Sequence, residues 1–260
     1  MKALETVTRI SLKNILYTTD FSPTAEAAAP YAWELAKRYG AKVVFSEPDG
    51  RPREVVSAEL AAGIADDEHR VLLHPFDDAD VVLGHSSLGT ELLQQLEEMG
   101  ENMPLDSLLV PAGGGGLVAG ISVALRAHRS RTRLIAVEPD GYDDLARSLS
   151  DGQRQRNGTP SPTLCDALQA VSPGAIPFSI LQETLDSVVS VTDHEVRLAM
   201  RAAAEHLKLV LEPSGASALA AVLTARSRGL ELGDRVGVVC SGGNISPDQF
   251  RKLLAEPSHH

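Results

Sequence analysis

The sequence predicts an α/β fold, a three-layer sandwich around a mostly parallel sheet, and three observations carry that prediction. Apolar runs of strand length alternate with helical periodicity almost throughout the 260 residues. The run Arg235 to Cys240 reads as a buried strand. A glycine-rich turn, Pro111 to Gly120, follows the apolar Leu108-Leu109-Val110 and opens directly into the helical pattern Leu117 to Ala127.

The elements follow in chain order. Asn14 to Tyr17 reads as a first strand and Lys42 to Phe45 as its return. Between them lies a helix with Ser22 as N-cap, Pro23 at its first position and Gly40 as its stop. Pro30 should kink or split that helix. A helix near Glu54 to Ala65, a short strand Arg70 to Leu73 and a helix near Gly89 to Met99 come next. Strands are expected at Leu105 to Val110 and Thr132 to Val137. The stretch Asp151 to Pro162, rich in Gly, Gln, Asn and Pro, reads as an exposed loop. Strand Ser187 to Val191 leads to a helix capped by Thr192 or Asp193 and running to about Leu207. Gly215 to Ser227 makes a further helix.

Composition excludes several functions. A formal charge of −11 argues against a nucleic-acid partner, which needs clustered positive charge. No apolar run reaches membrane-spanning length, so no membrane partner is expected either. Cys165 and Cys240 stand far apart and form no metal-ligand spacing, which fits a cytoplasmic location better than a disulfide framework.

The chemistry of the chain concentrates in Gly113-Gly114-Gly115-Gly116. A strand that turns through glycines into a helix presents bare N–H groups at the positive end of the helix dipole, a cup suited to a small phosphate monoester. No Lys-Ser/Thr follows it, so it is not a nucleotide P-loop.

From about residue 40 to 250 the chain resembles the fold type II, pyridoxal phosphate-dependent serine/threonine dehydratases and serine racemases, a Rossmann-like architecture. The resemblance rests on Pro111 to Leu117, Val137-Glu138-Pro139, the stretch Leu207-Lys208-Leu209-Val210-Leu211-Glu212-Pro213-Ser214-Gly215-Ala216, and Ser241-Gly242-Gly243-Asn244. It implies that Gly113, Gly114, Gly115 and Gly116 hold the phosphate of pyridoxal phosphate (PLP) and that Ser241 meets its pyridine nitrogen. It further implies a Mg²⁺ or Ca²⁺ site at Glu138, Asp144 and the carbonyl of Tyr142, and a homodimer, since the family commonly dimerises. Glu212 reads equally well as a structural carboxylate or an active participant near the ring. Cys240 reads as a small buried apolar residue.

Two family features are missing: the lysine motif that bonds the cofactor and the loop that grips the substrate carboxylate. The only lysines are Lys2, Lys13, Lys37, Lys42, Lys208 and Lys252, and Ser11-Leu12-Lys13 echoes the lost motif only superficially. Gly84-His85-Ser86-Ser87-Leu88-Gly89-Thr90 also departs from the family's wording. In place of the missing region, Lys13 to Ser22, Tyr31 to Ala36 and Gly40 to Val43 resemble the opening, flavodoxin-like βαβ unit of a universal stress protein. In that family an aspartate matching Asp20 helps hold ATP, but its later phosphate motif has no counterpart here.

These readings divide the chain into a stress-protein-like segment, 1–46, and a dehydratase-like body, 47–256, merged into one domain. The expectation is a recombined or engineered scaffold that keeps an anion or PLP cup, bound without a covalent link or left empty, and has little or no lyase activity. Two alternatives stand beside it: an active serine/threonine dehydratase with Lys13 as the amine, and an ATP-binding stress-type module.

Overall fold

The computed structural model describes residues 14–18, 34, 37–38, 42–46, 53–69, 72–100, 104–158 and 161–255. The chain divides into two units, Met1–Leu72 and Leu73–His260. In the first, β1 (Asn14–Thr18) pairs in parallel with β2 (Lys42–Ser46), Asn14 opposite Lys42, and α1 (Arg53–Asp67) packs on both strands. Both strands stand where the apolar runs put them. The Ser22 cap and the Pro30 kink lie outside the described residues.

The second unit is a four-stranded parallel sheet in the order β5-β4-β3-β6. Its strands are β3 (Ser107–Pro111), β4 (Arg133–Pro139), β5 (Ser187–Val191) and β6 (Val236–Val238). The helices are α2 (Ala79–Glu98), α3 (Gly116–Ala127), α4 (Asp144–Asp151), α5 (Ala175–Thr184), α6 (Asp193–Ala202), α7 (Pro213–Leu223) and α8 (Pro247–Ala255).

Alternation along the strands builds two cores, one on each face of the sheet. Leu108, Val110, Leu134 and Ala136 face Val118, Ile121, Leu125 and Leu181 of α3 and α5. Leu109, Ile135 and Val137 face Val196, Met200, Ala216 and Ala220 of α6 and α7. Both faces of β3 and β4 are therefore buried, as continuous apolar strands require. This is the expected three-layer sandwich.

Some boundaries differ from the expectation. Leu72 and Leu73 form no strand and are exposed. Helix α2 begins ten residues before Gly89, because Asp78 caps it by accepting from the N–H groups of Asp80 and Val81 at 2.8 and 3.1 Å. Helix α6 stops at Ala202, and Ala203–Leu207 widen into a π turn.

The Thr192 cap is present in full. Its hydroxyl accepts from Glu195 N–H at 3.3 Å, and the Glu195 carboxylate accepts from Thr192 N–H at 2.8 Å. Thr192→Ala is expected to cost about 1 kcal/mol, read as a lower urea midpoint with an unchanged slope.

Candidate functional site

The carboxyl ends of β3, β4 and β6 gather the predicted site residues along one edge of the sheet. The chain runs outward from β3 through β4 to β5, while β6 lies on the other side of β3. The direction of winding reverses between β3 and β6, and open α/β sheets place ligands outside the strand ends at such a point. Gly113 to Gly116 follow β3 there, and Ser241 to Asn244 follow β6. Val239 N–H donates to Leu109 O at 2.9 Å, which carries the β6 alignment toward the site.

Gly115 is the N-cap of α3 at φ 88°, a left-handed conformation in which a Cβ would be strained. Among the described residues, no partner within the chain accepts from the N–H groups of Gly113, Gly114, Gly115 or Gly116. Residues 114 to 116 are nevertheless buried. Buried, unanswered amides at the positive end of a helix fit a phosphate group.

After β6 the turn is held by Glu212. Glu212 N–H donates to Gly242 O at 3.1 Å, and the carboxylate accepts from Asn244 N–H at 3.0 Å. Burial raises the Glu212 pKa, the Asn244 hydrogen bond opposes this, and nearby Asp166 adds to it. Glu212 is thus a structural carboxylate that fixes the backbone around Ser241. The Ser241 side chain is exposed. Cys240 is half-buried, with its thiol pKa raised by burial.

At the end of β4, Glu138 is fully buried and caps α4. Its two oxygens accept from Leu145 N–H at 2.9 Å and Ala146 N–H at 3.1 Å. Burial and the neighbouring Asp144 push its pKa to about 8. Asp144 accepts from the Asn157 side-chain amide at 2.6 Å through Oδ1, while its buried Oδ2 has no partner. Burial, opposed by the Asn157 bond, brings Asp144 to about 6. Tyr142 is buried, its N–H bonded to Pro139 O at 3.0 Å. Among the described residues no three His, Cys, Asp or Glu side chains cluster to hold a metal. The pair Glu138 and Asp144, with one orphaned oxygen, still suits a hard cation completed by carbonyl or water oxygens.

The described lysine side chains are exposed to solvent. Lys208 is exposed, at φ 60°, with Nζ donating to Glu205 O at 2.6 Å. Lys37 is exposed. Lys13 and Asp20 lie outside the described residues.

Sequence reasoning missed the segment His74-Pro75-Phe76-Asp77, which covers the glycine run. A Cβ on Gly114 would overlap the Phe76 ring, and one on Gly116 would stand 2.9 Å from Phe76 Cβ. The signal available was Asp77-Asp78 just ahead of an apolar helix, an N-cap pattern.

Comparison with known proteins follows this geometry. A family model described as "Pyridoxal-phosphate dependent enzyme" matches residues 15–242. The chain is 33% identical over 218 residues to the serine racemase of Dictyostelium discoideum, covering 83% of this chain and 64% of that protein. It is 34% identical over 229 residues to the phenylserine dehydratase of Ralstonia pickettii, covering 88% and 66%. A solved threonine deaminase, from the organism abbreviated T.th., superposes with a TM-score of 0.72 at 33% identity, covering 90% of this chain and 76% of that one. The chain therefore spans slightly under two thirds of the length of these two curated relatives.

These findings correct the expectation of a recombined scaffold with little or no lyase activity. The relatives are named for catalysis on amino acids, so the alternative of an active dehydratase fits them better. The family match also begins at residue 15, inside the segment that resembles a stress protein, and so gives no support to a fusion near residue 46.

Proposed function

We propose, from the premise that the chain belongs to the pyridoxal-phosphate dependent enzyme family, that it is an ammonia-lyase acting on a small β-hydroxy amino acid of the serine or threonine type. The products are ammonia and a 2-oxo acid. The observation that carries this reading is the meeting of the glycine cup and the Ser241 turn where the sheet reverses its winding.

When bound, PLP supplies an electron sink for bonds at the substrate Cα. The amides of residues 113–116 bind its phosphate without drawing on a side-chain charge. The Ser241 hydroxyl hydrogen-bonds the ring nitrogen, and a neutral partner there draws less electron density from the ring than a charged one. Glu212 keeps that hydroxyl in place by holding Gly242 and Asn244. Glu138 and Asp144 hold a Mg²⁺ or Ca²⁺ ion with the Tyr142 carbonyl, at the end of the strand next to the cup. The amine is proposed to be an unconventional lysine such as Lys13, on the wording Ser11-Leu12-Lys13 alone.

The test is reduction of PLP-loaded protein with borohydride, followed by peptide mapping. A phosphopyridoxyl group on the Lys13 peptide, with 2-oxo acid released from L-serine or L-threonine before reduction, is the expected result. The absence of any labelled lysine together with no 2-oxo acid overturns the reading.

A further inference from the structure

We propose that Asp77 is a positioning residue of the phosphate cup. It holds the Phe76 backbone and ring against Gly114 and Gly116 and so sets the direction of the cup's amides. The inference rests on the reading of residues 113–116 as a phosphate site.

Two segments far apart in sequence meet at this carboxylate, and the glycine run is tied to both. Asp77 Oδ1 accepts from Ile176 N–H at 2.8 Å, across 99 residues, and so caps the start of α5. Gly174, just ahead of α5, donates its N–H to Gly114 O at 3.0 Å. A Cβ on Gly174 would stand 3.0 Å from Asp77 Cβ and Cγ, so no side chain fits between them. Phe76, the preceding residue, lies on Gly114 and Gly116.

The segment's own geometry is fixed from the other side. His74 Nδ1 accepts from Asp77 N–H at 2.9 Å and Phe76 N–H at 3.3 Å. The His74 ring also meets the Phe76 ring edge-on at 4.6 Å. Burial raises the Asp77 pKa, but the N–H groups of Ile176 and Ala175 and the charge of Arg154 outweigh it, leaving the carboxyl below its usual value. The ionised form is the one that accepts from the α5 amides.

The arrangement closes a loop: Phe76 presses on the cup, the Gly114 carbonyl is tied to Gly174, and Asp77 joins Phe76 to α5. Hydrogen-bonding the Gly114 carbonyl on one side of the peptide plane fixes where the following amide points. Releasing Asp77 frees the roof and one wall together. The loss falls on the phosphate, because none of the three segments follows β6, where the ring nitrogen is proposed to sit.

The experiment compares binding of PLP and of pyridoxal, which lacks the phosphate, to the full chain. Wild type is expected to prefer PLP. Asp77→Ala is expected to lower that preference about tenfold, the equivalent of one charged hydrogen bond, while pyridoxal affinity holds. Asp77→Asn, which keeps an acceptor at the same reach, is expected to restore it to within about twofold. Should Asp77→Ala fail to fold by circular dichroism, Asp77→Ser is read in its place. An equal loss for both ligands, or an unchanged preference, overturns the role of Asp77 alone. A wild type that binds both ligands alike overturns the phosphate-site reading and this inference with it.

Discussion

Protein stripped of divalent cations is expected to melt progressively lower as pH rises from about 5 to about 9, and Mg²⁺ or Ca²⁺ is expected to abolish most of that fall. Glu138 and Asp144 both hold their protons more tightly in the fold than in the unfolded chain, to about 8 and about 6. The cause is burial, with mutual repulsion added at Glu138. Groups with raised acid pKa values stabilise the fold fully below their unfolded values, and that contribution is lost as pH rises through about 6 and then about 8. The fall in Tm is expected to be roughly 5–10 °C. A cation bound only by the folded, deprotonated pair stabilises most where the loss is greatest.

Thermal melts in a chelator and in millimolar cation, at each end of the range, check this. The Glu138→Gln variant should show a flatter slope, since an amide does not titrate. Identical melts with and without cation near pH 9 would remove the proposed Mg²⁺ or Ca²⁺ site. A slope unchanged in Glu138→Gln would remove the assignment of the titration to this pair.

Gly215→Ala is expected to be the most damaging single methyl group in the cofactor region. Gly215 sits in the first turn of α7, and a Cβ there would overlap the Gly242 carbonyl oxygen and stand 2.6 Å from Gly242 N. Both obstacles are backbone atoms, so no rotamer change can make room. The turn 241–244 must move, and with it the Glu212 contacts at Gly242 and Asn244. Overpacking of this kind costs about 1–3 kcal/mol, and the displaced Ser241 adds a loss of PLP affinity of roughly 100-fold, about 2.7 kcal/mol. Urea melts and PLP titration read the two effects separately. Wild-type affinity in Gly215→Ala would show that the Ser241 turn does not touch the cofactor.

Much of the fold is legible because β3, β4 and β5 are short apolar runs with clear ends. The burial of β3 and β4 on both faces follows from their continuous apolar runs, as at Leu108 to Val110, whereas the edge strand β5 is only half-buried. The Thr192 and Glu195 pair announces α6 from residues three apart. The start of α2 is harder to read because Gly84 and His85-Ser86-Ser87 look like punctuation. Helix α2 packs closely on α3 at His85 and Gly89, where a Cβ on Gly120 would stand 2.5 Å from His85 Cβ and one on Gly89 2.7 Å from Ala124 Cβ, while Gly84 faces open space. The expectation of an inactive scaffold came from weighing a missing lysine motif above four retained ones, and the relatives reversed that weighting.

Local chemistry determined the strands and the glycine turn, since each depends on neighbours a few residues away, while Glu138, Glu212 and Ser241 were singled out by the family resemblance. Contacts across long stretches of chain decided that Phe76 roofs the glycines and that Asp77 caps α5, and burial between the layers decided that Glu138, which closes α4 seven residues on, has its charge suppressed. A residue type carries its propensity wherever it stands. Its dielectric surroundings and distant hydrogen-bond partners exist only once the layers have packed.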